Sequence, residues 1–356
     1  QVIGHSGKRS TILCDGATIP AMGYSVFGLS NKPAADASEL KVTTNRIETP
    51  LYRLRLNKDG AITSLFDKTC KREIVEKGSV ANDLQLFQDG PETEDAWNVH
   101  ATFEKRRYPI EGKTTLKVVE NGPVRGILRV TRKHRRTTIE QDIVVYAHTP
   151  RIDFVTCIDW KERQTMLKAA FPVAVRSTRA TCEIQFGAVE RPTHDNTEWD
   201  EEKFEVAGYR WVDLSETGYG VSLLNDCKYG HDIKDNVLRI TLLRSTTWPD
   251  PNADEGSHEF IYSLYPHKGN WTEAETVRRA WELNVQACSM APVAEAPSAH
   301  SFVELEGPAV IETLKPAENG KGHILRLYEP LGARGKVTVT LNTKPAKVNS
   351  CNLVEE

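Results

Sequence analysis

Across 356 residues, apolar side chains recur at helical spacing in only one stretch, Thr272 to Val285. There Val277, Ala280 and Trp281 share a face, Thr272 is placed to cap, and Glu273 and Glu275 suit a first turn. A chain this long with so little helix must build its core from sheets. Strand-like runs fill most of the remainder. Leu51 to Leu56 and Ala61 to Phe66 flank Asn57-Lys-Asp-Gly60, and Asp-Gly is a strong hairpin signal. Thr115 to Val119, Val124 to Arg132, Thr137 to Tyr146 and Arg151 to Asp159 follow, broken by Glu120-Asn-Gly-Pro123 and Ala147-His-Thr-Pro150. Many short strands at close spacing predict an all-β sandwich architecture.

Three segments are expected. Residues 1–31 hold two strands around Asp15-Gly16, too few to bury a core. Residues 32–290 form the large β block. Ala291-Pro-Val-Ala-Glu-Ala-Pro-Ser298 reads as a linker that opens a third, strand-rich segment, 291–356. Gln1-Val-Ile-Gly4 reads as the middle of a strand, which predicts a fragment or processed product. Hydrophobic residues at 39% and charged residues at 27% are ordinary for a globular protein. With a net charge of −3, nucleic acid is not an expected partner, and the one dense basic run, Arg132-Lys-His-Arg-Arg136, reads as a solvated strand face. No apolar run approaches a membrane span. Seven scattered cysteines without a CxxC pair argue against a disulfide framework and for the cytoplasm.

Two places gather polar side chains at the end of an apolar run. Val221-Ser-Leu-Leu224 ends in Asn225, Asp226, Lys228 and Tyr229, between Gly220 and Gly230. A rigid strand delivering four hydrogen-bonding groups to its end suits the presentation of a polar substrate. The alternative is a polar hairpin whose Asp caps its own turn. Asp95-Ala-Trp-Asn98 is the second place: Trp97 can stack on a sugar or plug a sandwich edge, with Asp95 beside it. His194-Asp195 and His231-Asp232 look like paired metal ligands, but further ligands at workable spacing are lacking, so loop hydrogen bonding is expected. Asp159-Trp-Lys-Glu-Arg163 reads as an ion-paired strand end. Asp250, Asp254, Glu255 and Glu259 read as turn-forming or solvated.

Several phrases taken together resemble the C-terminal β-region of the family-38 glycoside hydrolases, the α-mannosidases of bacterial and cytosolic type. They include Ile19-Pro-Ala-Met-Gly-Tyr24, Asn82-Asp-Leu-Gln-Leu-Phe87 with Asp95-Ala-Trp-Asn98, and Glu120-Asn-Gly-Pro-Val-Arg125. Asp159-Trp-Lys-Glu-Arg163, Leu167-Lys-Ala-Ala-Phe-Pro172, Gln185-Phe-Gly-Ala-Val-Glu-Arg-Pro192 and Leu314-Lys-Pro-Ala-Glu318 continue the series in order. The resemblance implies a large double-sheet supersandwich of galactose mutarotase type and a small C-terminal β-sandwich. It also implies an N-terminal barrel, absent from this chain, that carries the nucleophile, the acid/base and a zinc ion in a retaining exo-α-mannosidase. This chain would hold no catalytic residue and no cofactor, and would be inactive alone. Its partners would be that barrel and an α-mannoside or mannooligosaccharide, and self-association is compatible with the pattern. Where the family usually has a second carboxylate after the Trp, this chain has Asn98. The resemblance implies that loops of the large sandwich reach into the barrel's active site, so Asp95, Trp97, Asn225, Asp226, Lys228 and Tyr229, picked out by their residue pattern, are the expected substrate contacts. A stand-alone carbohydrate-binding or mutarotase-like epimerase module is the competing reading. It needs a His and a Glu facing each other across a sheet, and no such pair is identifiable in the sequence. A purely structural oligomerisation module is the third.

Overall fold

A computed structural model describes residues 1–6, 9–14, 18–28, 39–90, 93–100, 102–291 and 295–356. It divides into two compact units: residues 1–15, 36–183 and 189–286, and residues 16–35, 184–188 and 287–356. Strands dominate both, as the missing helical period requires.

The large unit is built on a nine-stranded and a six-stranded antiparallel sheet. In the first, the order begins Thr114–Asn121, Arg125–His134, Thr137–Tyr146, Ile152–Trp160, Gly256–Lys268, Tyr219–Asn225, Trp211–Glu216. In the second it runs Arg107–Tyr108, Asp83–Gln88, Thr165–Pro172, Val237–Ser245, Gly230–Lys234, Val206–Ala207. One continuous core joins them: Leu84, Leu167, Ala169, Phe171 and Ile240 from the smaller sheet meet Leu128, Ile143, Phe154, Val221 and Tyr262 from the larger. Each of these positions alternates with a residue on the opposite face, as a pleated strand demands. A five-stranded meander from Lys41 to Glu73 adds Leu54, Ile62 and Leu65 to the same core.

Turn chemistry places the strands. Asn57 Oδ1 accepts from the amides of Asp59 and Ala61, both at 3.0 Å, and Gly60 takes φ +74°. The helix is shorter than its pattern predicts. It spans Thr276–Asn284, because Asn270 Oδ1 takes the amides of Thr272 and Glu273, both at 3.0 Å, and closes a separate turn there. Thr272 is therefore not the cap. The basic run also departs from expectation. Arg132 and His134 point inward and are buried, while Lys133, Arg135 and Arg136 are exposed. Strand alternation overrides local charge: Arg132 Nε donates to the Asp59 carbonyl at 3.0 Å, and His134 Nδ1 accepts from the Glu111 amide at 3.0 Å.

The smaller unit consists of antiparallel pairs: Gly23–Ser25 with Ala299–Ser301, Val303–Glu306 with Thr338–Leu341, and Val310–Pro316 with His323–Tyr328. The first pair ties residues near the start of the chain to its last segment. The opening strands instead group with the large unit, where Gln1 Oε1 accepts from the amides of Val124 and Arg125, both at 3.0 Å. The Asp15-Gly16 turn, the boundary expected at 31/32 and linker residues 292–294 lie outside the described residues.

Gly60 and Gly78 both have positive φ, but a Cβ at Gly60 would sit 2.6 Å from Val130 Cγ1, whereas nothing lies within 4 Å at Gly78. Gly78→Ala should lower unfolding stability by about 1 kcal/mol. Gly60→Ala should lower it by about 1–3 kcal/mol more, because the core strand must shift. Denaturant titrations giving equal losses would refute the packing argument.

Candidate functional site

The strand Tyr219–Asn225 is buried at all seven positions, wedged between Trp211–Glu216 and Gly256–Lys268. Its terminal polar groups do not converge. Asn225 is fully buried: its Nδ2 donates to the Tyr209 carbonyl at 2.7 Å and its Oδ1 accepts from the Lys228 amide at 2.7 Å. That is a turn-closing residue with its capacity used. Asp226 prolongs the sheet by one rung, its amide donating to Ile261 O at 3.1 Å and its Oδ2 accepting from Ile261 N at 3.0 Å. Lys228 lays its ammonium 4.5 Å from the Phe260 ring centroid. Tyr229 is 48% exposed and rests against Tyr209, ring centroids 5.4 Å apart. Tyr229 alone of the four offers a large open face.

The second candidate is built differently. Asp95 is 1% exposed, and its carboxylate accepts from Thr247 N at 2.8 Å, Thr247 Oγ1 at 3.2 Å and Trp248 N at 3.0 Å. Arg244 completes the clamp: it pairs with Asp89, donates to Asp95 O at 2.7 Å and also reaches Asn98 O. These bonds fix two loops against each other and bring Trp97 beside Trp248, ring centroids 5.3 Å apart and planes inclined at 57°. Trp97 is 66% exposed and Trp248 49%. Asp95 thus anchors the backbone that carries Trp248. Trp248 was not among the sequence candidates; its cue was Thr-Thr-Trp-Pro beside a strand end, which is weak unless the register with Asp95 is known. Pro91 and Glu92 of the same loop lie outside the described residues.

A third cluster escaped the sequence analysis. Lys168 is wholly buried, yet its ammonium meets Asp232 at 2.7 Å and also Glu205, with the Phe103 ring centroid 5.0 Å away. Arg239 bridges Asp232 and Glu104. Burial alone would raise the Asp232 carboxyl, but Lys168 and Arg239 hold it below its usual range. The visible signal was a lone Lys in the middle of an apolar strand. Asp232 is therefore committed to ion pairing, while His231 is fully buried, with Nδ1 3.2 Å from Tyr229 O. His194 lies 3.9 Å from Asp200 and Asp195 pairs with Lys234 at 2.7 Å. In the acidic loop, Asp250 Oδ1 caps the Asn252 amide at 2.9 Å. Among the described residues no three His, Cys, Asp or Glu side chains gather as a metal site. Buried Asp213 accepts from Ser222 Oγ at 2.7 Å and meets His267 Nε2 at 2.8 Å. The serine bonds the carboxylate and not the imidazole, so these three lack the order a nucleophilic triad needs.

Residues 47–252 match the family profile of the glycosyl hydrolases family 38 C-terminal domain, and residues 309–356 that of the family 38 C-terminal beta sandwich domain. Human Alpha-mannosidase 2C1 is 36% identical over 356 residues, covering 95% of this chain and 34% of that protein. Alpha-mannosidase G of Dictyostelium discoideum is 36% identical over 325 residues, covering 87% and 30%. An alpha-mannosidase crystal structure from Enterococcus faecalis V583 shares the fold at a TM-score of 0.72 and 15% identity, covering 92% of this chain and 41% of that one. The chain spans about a third of the length of the curated relatives it matches.

Burial depresses the His231 imidazole from 6.5 to about 4. Between those values the unfolded chain binds the proton more tightly than the native one. The stability conferred by the neutral ring is therefore complete above pH 6.5 and is lost as pH falls towards 4, by about 1.4 kcal/mol per unit and about 3 kcal/mol in all. His231→Gln should unfold with a correspondingly flatter dependence across this window. Parallel stability curves for the two proteins would refute it.

Proposed function

The chain belongs to family 38 of the glycoside hydrolases, as its C-terminal region, and on that premise we propose that it is the β-half of an α-mannosidase. The observation that carries this reading is the pair of family matches, in order, over both strand-rich regions. A stand-alone binding or epimerase module is not favoured by those matches.

In this reading the reacting carboxylates and a divalent metal belong to a catalytic domain outside this chain. Retention of configuration requires two carboxyl groups ~5–5.5 Å apart across the scissile bond. At the two candidate loops the Asp95 carboxylate takes three donors from one loop, and Asp226 Oδ2 completes a sheet rung. Here the sandwich supplies a rigid support, Tyr229 an exposed aromatic face for the mannosyl unit that is cleaved, and Trp97 one for the rest of the substrate. Asp95, Asn225, Asp226 and Lys228 hold those faces in place. The seven cysteines are all free, in keeping with a cytoplasmic setting. No helix among the described residues is long and apolar enough to cross a membrane.

Two measurements test the reading. The isolated chain should not hydrolyse an aryl α-mannoside, with or without added zinc; turnover that survives stringent purification would overturn the division of labour. In the full-length enzyme, Tyr229→Ala should raise KM for α-mannosides roughly 3- to 10-fold with little change in kcat, the loss of one aromatic contact of ~0.5–1.5 kcal/mol. Unchanged kinetics would return Tyr229 to a surface role.

A further inference from the structure

We propose that Trp97 and Trp248 form an open stacking platform for a mannosyl residue of the substrate other than the one being cleaved. The proposal rests on the α-mannoside reading above and extends it to a second sugar. Three observations carry it. The rings are held rigidly, since the Asp95 carboxylate fixes the backbone of Thr247 and Trp248 while Arg244 grips the carbonyls on either side of Trp97. Preorganised aromatic faces lose little conformational freedom on binding. The rings are also open: with 66% and 49% exposure, they offer on the order of 200–300 Å² of aromatic surface. That is well short of the ~800 Å² per partner of a stable protein interface. Among the described residues of these two loops, Trp97 and Trp248 are the exposed large apolar side chains.

The chemistry of the rim decides the ligand. Asn98 follows Trp97 and Asp250 follows Pro249, and both are exposed. Apolar faces beside an amide and a carboxylate match a pyranose, which carries C–H groups on one face and hydroxyls at its edge. An open surface cannot surround a sugar as a reacting unit requires, because cleavage depends on groups closing around the scissile bond. The platform therefore fits a sugar further along the chain.

The test uses the full-length enzyme with two substrates, an aryl α-mannoside and an α-linked mannotriose. Trp97→Ala and Trp248→Ala should each raise KM for mannotriose about 3- to 10-fold, with kcat unchanged and the aryl mannoside affected less than about 2-fold. Trp248→Tyr, which keeps a flat ring on the same anchor, should recover part of the loss. Equal losses on both substrates would make the rings part of the cleavage site or of a domain contact, and no loss on either would make them idle; each overturns the proposal. If the wild-type enzyme cleaves neither substrate, the functional reading itself fails. The platform is then judged by mannotriose-induced change in tryptophan fluorescence, expected in wild type and lost in both Ala variants; its absence in wild type overturns the platform too.

Discussion

The strand Thr165–Pro172 must satisfy two environments at once, and much of the large unit is arranged around that demand. Leu167, Ala169 and Phe171 enter the core shared with the nine-stranded sheet. On the other face Met166 packs with Phe87 and Phe103, and Lys168 is buried beside them. A buried ammonium is tolerable only with close counter-charges, and removing one member of such a pair costs about 3–5 kcal/mol. Asp232 and Glu205 provide the charges. Arg239 then balances Asp232 and reaches Glu104 in the turn Phe103–Arg106. The network thus ties the covering segment to the sheet, and that segment closes the loop which carries Trp97.

Much of the architecture was legible because it follows from period and punctuation. Alternation in Thr137 to Tyr146 and the Asp59-Gly60 turn required antiparallel strands, and both are present. What stayed hidden depends on pairing across distance. Arg132-Lys-His-Arg-Arg136 looked solvated because charge was read along the chain, whereas burial is decided across the sheet. The helix start moved from Thr272 to Thr276 because Asn270 offered a better local bond than the expected cap. Residues 16–35 group with the C-terminal segment through a strand pair nearly 280 positions apart in sequence, Gly23–Ser25 with Ala299–Ser301; no local pattern encodes such a partner.

The candidate site shows the same division. Residue type identified Asp95, Trp97, Asn225, Asp226, Lys228 and Tyr229, but not which of their atoms remain free. Asn225 and Asp95 carry the groups best suited to bind hydroxyls, and both are buried with those groups taken by backbone amides and carbonyls. Sequence shows capacity for hydrogen bonding; only the fold shows whether it has been used.

That exhaustion has a functional consequence. A buried polar side chain whose groups are taken in fixing a loop is not free for substrate, so such loops leave exposed what their anchors do not use, here the faces of Trp97, Trp248 and Tyr229. Aromatic faces give affinity with little selectivity among epimers, because each pyranose offers C–H surface, whereas discrimination comes from hydroxyl-directed donors and acceptors. A mannosidase divided in this way would keep stereochemical choice with the domain that holds its reacting carboxylates. The β-half would then act on the length and placement of the substrate, a role that depends on rigidity more than on any single charged group.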